Sequence, residues 1–386
     1  MPVAAAVLDG LSPKLEQVIR VLEWSRIESL VNCYDSGPGR PQGDRCALAS
    51  AFVAKAVLGL KTTRALIERL QIDSKLRRIC GFEMYRELPS EATFSRAFDE
   101  FARSELAERA HEQMVKANLG DSLIGHVSRD ATAIEARERV AKPACALAGQ
   151  PEPTLLAHEP VVQAEVAQAP IQTPVQTPVQ TQAQPGAKPK RGRPRKGEPR
   201  AVAAKAPSPL ERQLTQDLPQ MLAELPQDCS VGTKLNAKGY KTSWRGYKLH
   251  LDTACCGVVV SAVLTGAAVH DSRVALPLSI MTSQRVEVLY ELMDAAYCAK
   301  VIREFVVSQA RVPLIDHNPR GGEKIEFAPH EAQRYNTRTG AERSNARLKD
   351  EFGARDVWVR GAAKVKSHLM FGVVALCADQ LMRLLR

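Results

Sequence analysis

The chain has 386 residues, 45% of them hydrophobic, enough to bury a sizeable core in about two domains plus a linker. It has no run of eighteen uninterrupted apolar residues, and its start, MPVAAAVLDGLSPK, lacks the basic and apolar regions of a secretory signal, so a soluble, cytoplasmic, nucleoid-associated protein is expected. Nine cysteines without a C-x-x-C pair argue against a disulfide framework and a zinc ribbon, and a net charge of +10 suits a polyanionic partner.

Residues 10 to 32 read as a helix whose apolar stripe is Leu11, Leu15, Val18, Ile19, Leu22 and Ile27. SGPGRPQGD, residues 36 to 44, breaks the chain. A second helix is expected from near Asp44, burying Leu48, Phe52, Val53, Ala56 and Val57, and a third through Leu66, Ile67 and Leu70. Ser90 then stands where it can cap a helix carrying Phe94, Phe98 and Phe101 at helical spacing, and these rings read as core. The bases Arg96 and Arg103 leave two readings. One is a helix-turn-helix-like unit with this helix, Arg96 included, as the DNA reader; the other is a plain bundle with solvated charges. Residues 1–119 are thus expected to form an all-α N-terminal domain.

A strand over Leu123 to Arg129 then delivers Asp130, which is preferred to Glu135 and Glu138 because a strand end places a side chain accurately. From 141 to 226 the chain is rich in Pro, Gln, Ala and Thr and repeats QTPV; it cannot bury enough apolar surface to offset its ordering entropy, so a disordered insertion is expected. Between 185 and 200 it carries seven bases against Glu198 alone. There, Arg191-Gly192-Arg193-Pro194 reads either as an AT-hook-like segment for the minor groove or as a generic basic linker. A short helix over 210 to 225 leads back into the fold.

TSWRGYKLHLDTACCGVVVSAVLTG reads as a hairpin turning at Cys255-Cys256-Gly257, and the apolar run Val258 to Leu264 suits a central strand. Asp271 is expected to cap the helix through Val274 and Leu278. A fourth strand, Val286 to Met293, ends at Asp294, and a fifth, VPLIDHNP, carries the rival acid Asp316.

Tyr335 to Lys349, YNTRTGAERSNARLK, reads as a helix from about Gly340, with Glu342 among Arg338, Arg343, Arg347 and Lys349. A carboxylate in such company suits a metal ion while the bases hold phosphates; the alternative is a solvated helix with ordinary ion pairs. Asp130 and Asp294 at strand ends, with Glu342 on a later helix, can converge on divalent cations, and two ions about 3.5 to 4 Å apart clamp an in-line phosphoryl displacement. Oxygen ligands favour magnesium or manganese over zinc. A final helix follows Gly361, with an apolar face expected to pack on the sheet.

Tyr335, Arg338, Glu342 and Lys349, with gaps of two, three and six residues, resemble the Y-R-E-K signature of DDE transposases from bacterial insertion sequences. Asp130 in SRDAT and Asp294 in DAAY resemble that family's first and second acids. The resemblance covers most of the chain outside 141–226. It implies an α/β, ribonuclease-H-like mixed sheet flanked by helices, built from 120–140 and 227–386. It also implies metal-dependent cleavage of insertion-sequence ends and strand transfer into target DNA. In that picture Asp130, Asp294 and Glu342 hold two Mg2+ ions, with Mn2+ as a substitute. Arg338 and Lys349 contact phosphates, Tyr335 meets the end nucleotides, and a dimer works on paired terminal inverted repeats of double-stranded DNA. Two other readings stay open, a ribonuclease-H-like nuclease without strand transfer and a non-catalytic DNA-binding protein using Arg191, Arg193 and the helical N-terminus.

Overall fold

A computed structural model describes residues 10–32, 44–140, 207–235, 239–319 and 322–385. Most of the insertion, with the Arg191 and Arg193 tract, lies outside the described residues.

Six helices open the chain. Ser12 caps α1 (Pro13–Ser25) by accepting the Leu15 amide, and the helix stops where Arg26 turns left-handed at φ 44°, shorter than its apolar stripe suggested. A 3-10 turn, Ile27–Leu30, follows. Asp44 accepts the amides of Cys46 and Ala47 to start α2 (Arg45–Val57). The short α3 (Thr63–Ile72) and α4 (Ser74–Ile79) lead to α5 (Glu91–Arg103) and α6 (Leu106–Leu119). Phe94, Phe98 and Phe101 are buried as expected and gather on Phe52.

The sheet begins with β1 (Leu123–Glu135). Two short helices, α7 (Pro209–Gln213) and α8 (Leu218–Ala223), replace the single one expected, because Ser208 with Glu211 and Asp217 with Gln220 each form a capping box. Then come β2 (Ser230–Leu235), β3 (Lys241–Ala254), β4 (Val259–Gly266), α9 (Ala275–Ser283), β5 (Glu287–Met293), α10 (Lys300–Ser308) and β6 (Val312–Ile315). The strand order is β2-β3-β1-β5-β6, with β4 also paired to β3. The pairs of β3 with β1, β2 and β4 are antiparallel, whereas β1–β5 and β5–β6 are parallel. This is the mixed sheet flanked by helices that a ribonuclease-H-like domain requires.

Three further expectations change. Asp130 lies inside β1 rather than at its end, because Ala131 to Glu135 stay paired with His250 to Gly246 of β3. Asp271 does not cap; His270 accepts the Ser272 amide, and Asp271 is held by Lys248 at 2.8 Å. The last helix, α13 (Ala362–Leu384), is buried on almost every side and packs chiefly against α6, α1, α2 and α5, touching the sheet at β4. Phe371 of α13 joins Phe52 and Phe98, so helices and sheet share one core. Among the described residues no helix is long and apolar enough to cross a membrane.

Candidate active site

Strand alternation builds the floor of the site. On β1, Ser128 and Asp130 share one face while Arg129 points to the other. Ser128 is in register with Leu292 on the parallel neighbour β5, so Asp130 and Asp294, each two residues further, come side by side on strands about 4.8 Å apart. Asp294 is oriented by accepting the Ala296 amide at 3.0 Å, which caps a 3-10 turn, Ala295–Tyr297.

The roof comes from α11 (Pro329–Tyr335), a 3-10 turn Asn336–Arg338, and α12 (Thr339–Glu351), which lies across β1 and β3. Thr337 Oγ1 meets His126 Nε2 of β1 at 3.1 Å and holds the turn over the sheet. Arg338 then reaches both ways. Its Nη1 is 3.5 Å from Asp130 Oδ1, and its Nη2 donates to Glu342 Oε1 at 2.7 Å. Asn345, one turn beyond Glu342 and buried, donates to Asp130 Oδ2 at 2.8 Å.

Two of the three acids, Asp130 and Glu342, therefore share one guanidinium. Asp130 and Asp294 are neighbours, and Glu342, with 54% of its side chain exposed, is turned toward Arg338 instead of toward the aspartates. Among the described residues no three His, Cys, Asp or Glu side chains converge as a metal-holding group. Burial raises the Asp130 carboxyl above its usual range, with Arg338 and Asn345 opposing and Asp294 adding to the rise. Burial also raises Asp294, and Asp271 and Asp316 push the same way. Asp316, the rival acid, donates its amide to the Met293 carbonyl at 3.2 Å and pairs with Lys324 at 3.1 Å.

The remaining expected residues fall at graded distances. Tyr335 is half-buried, its ring 4.8 Å from that of Phe327 and 6.0 Å from the Arg338 guanidinium; burial pushes its hydroxyl up to about 12. Lys349 is two turns beyond Glu342, and its charged neighbours are Lys234, Arg355, Glu135 and Asp350 instead of the aspartates. Arg96 is exposed on α5, within 3.4 Å of Thr93 Oγ1, and is no part of this cluster.

Two features escaped the sequence reading. Asn345 carries a readable signal, since Glu342, Asn345 and Lys349 follow one another by three and four residues along one helical stripe. Under the floor, Arg129 donates from Nε and Nη2 to Asp252 at 2.8 and 2.7 Å and lies 3.1 Å from Glu291. Arg311 and Ser279 also bind Glu291, and Thr282 donates to Asp252, so a buried charged network ties β3, β1 and β5 directly beneath the acids.

Residues 7–100 match a family described as a transposase domain (DUF772), and residues 227–378 match one described as a transposase DDE domain. No curated protein and no solved structure matches the chain.

Proposed function

We propose, from the premise that residues 227–378 make this chain a member of the DDE transposase domain family, that it cuts DNA at the ends of an insertion sequence and joins those ends to a target. The observation that supports the reading is Arg338, which pairs with Asp130 and Glu342 at once and so brings acids from two distant stretches to one guanidinium, with Asp294 on the strand beside Asp130. The division of labour would follow the chain, with residues 1–119 binding DNA and residues 120–140 with 227–386 carrying the chemistry.

The donor set suits a hard divalent cation. Every candidate ligand is a carboxylate oxygen, and the guanidinium of Arg338 already stands in for a cation between two of them. Arg338 Nη1 and Asn345 Oδ1 are buried without hydrogen-bond partners, so polar capacity is left over at that point. Asp130, Asp294 and Glu342 would hold the ions once Glu342 leaves Arg338. Bound there, magnesium or manganese supplies activation of the attacking oxygen and neutralisation of the leaving one.

The protein's own contribution is positioning. Asn345 keeps Asp130 aimed at the site, and the Asp294 cap fixes the second carboxylate. Arg338, freed from the acids, becomes a phosphate-binding group, and Tyr335 offers a flat ring to an end nucleotide. Lys349 meets the backbone further along the duplex. A dimer holding two terminal inverted repeats would make the two ends available together.

The test is joining. Precleaved end duplexes, taken from the flanks of the gene, are incubated with supercoiled target plasmid and Mg2+. Covalent end-to-plasmid products are expected. Cleavage of intact ends without any joined product would leave a nuclease in place of the transposase.

A further inference from the structure

The sheet is lopsided. β5 and β6 stop near the acids, whereas β1 runs on to Glu135 and β3 extends beyond it, paired with β2 as a two-stranded ribbon over Lys241–Gly246. The segments after β1 and after α12 come together at the base of this ribbon. The Arg137 guanidinium lies 4.0 Å above the Trp358 ring, the Ala136 amide bonds the Arg245 carbonyl, and the Gly361 amide bonds Glu138.

Exposed bases are gathered on and beside this ribbon. Arg20, Lys116, Arg212 and Lys300 elsewhere each pair with a nearby carboxylate. Among the described residues Arg137, Arg139, Lys234, Lys241, Arg245 and Arg360 are exposed, and none is paired with a carboxylate. The central acid is turned away, because Glu138 accepts from the Tyr247 hydroxyl and the Gly361 amide. Glu135 is exposed among these bases, and Asp350 is taken by Arg355. A surface with six exposed bases, on which Glu138 is turned inward and Asp350 is neutralised by Arg355, suits a polyanion.

We infer that the β2–β3 ribbon and its base form a second DNA-contact surface, separate from the acids, that grips the sugar-phosphate backbone of duplex DNA without reading its sequence. This rests on the reading of DNA as the substrate. Glu135 lies five positions beyond Asp130, about 17 Å of strand, so the surface is spatially distinct from the acids. Lys349, with Lys234 and Glu135 among its charged neighbours, lies beside this surface.

The experiment compares the full chain with a variant carrying Lys234→Ala, Lys241→Ala, Arg245→Ala and Arg360→Ala, and with a control carrying Arg20→Ala, Lys116→Ala, Arg212→Ala and Lys300→Ala. The probe is a 30-base-pair duplex of random sequence, titrated over a range of salt, and the thermal midpoint of each protein checks that it is folded. The ribbon variant is expected to bind at least about tenfold more weakly at physiological salt, with a salt slope lower by roughly 3. The control, which loses the same charge, should keep the wild-type slope. Equal slopes for wild type and ribbon variant, or an equal loss in the control, overturn the inference while leaving the proposed activity intact. Failure of the wild type itself to bind duplex overturns both.

Discussion

Asn345 is the side chain through which α12 fixes the first acid, its amide donating to Asp130 Oδ2. Removing such a supporting partner costs about 10- to 100-fold in activity or metal affinity without touching the chemistry directly. Asn345→Ala should therefore slow cleavage of end DNA by that factor while leaving DNA affinity unchanged. Cleavage at the wild-type rate would show that Asp130 needs no such support. At this scale the sequence was informative about types and spacing: carboxylates among bases at Arg338 and Glu342, and an Asp after an apolar run at 294, are chemically conspicuous. It was silent about direction. The four-residue spacing of Arg338 and Glu342 allows the ion pair that forms, but nothing in the order of residues says that the same guanidinium also reaches Asp130, which depends on how close β1 comes to the roof.

The strand β1 carries opposite duties on its two faces, Asp130 toward α12 and Arg129 into the buried network below. Replacing Arg129 strands Asp252 and Glu291 without their shared cation. Arg129→Ala is expected to cost about 3–5 kcal/mol, the usual penalty for breaking a buried ion pair from one side. Urea unfolding of variant and wild type measures it, and a loss below about 1 kcal/mol would contradict the account. The length of β1 was not legible. Ala131, Thr132 and Ala133 have a weak strand signature, and only their pairing with His250, Leu249 and Lys248 extends the strand past the acid. Likewise β2 was missed, since Ser230–Leu235 is a largely exposed strand whose only pairing is with β3. The apolar strand β4 was plain, because burial on both faces leaves a nearly continuous hydrophobic run.

For the whole molecule, the order of helices and strands was readable, but the shared core was not: the apolar periodicity of α13 shows that it is buried and not against what. That core holds three histidines neutral. Burial, the largest cause in each case, lowers His111 to about 3, His250 to about 4 and His368 to about 3. Their unfolded values lie near 6.5, so between pH 6.5 and 4 the unfolded chain binds protons that the folded one refuses. Their contribution is full above pH 6.5 and is lost as pH falls, by roughly 1.4 kcal/mol per unit for each. The unfolding free energy should drop by about 4 kcal/mol from pH 7.5 to 5.5, and a flat profile would contradict the buried, neutral assignment. The acids Asp130, Asp294 and Glu108, raised by burial, act oppositely at lower pH. The central claim concerns how those acids act together with Glu342. Its most direct measurement is Mg2+-dependent nicking of a plasmid carrying the gene's own flanks by wild type, Asp130→Asn, Asp294→Asn and Glu342→Gln, with DNA binding recorded alongside. Each variant should bind as the wild type does and cut at least about 100-fold more slowly; Glu342→Gln cutting at the wild-type rate would contradict the assignment.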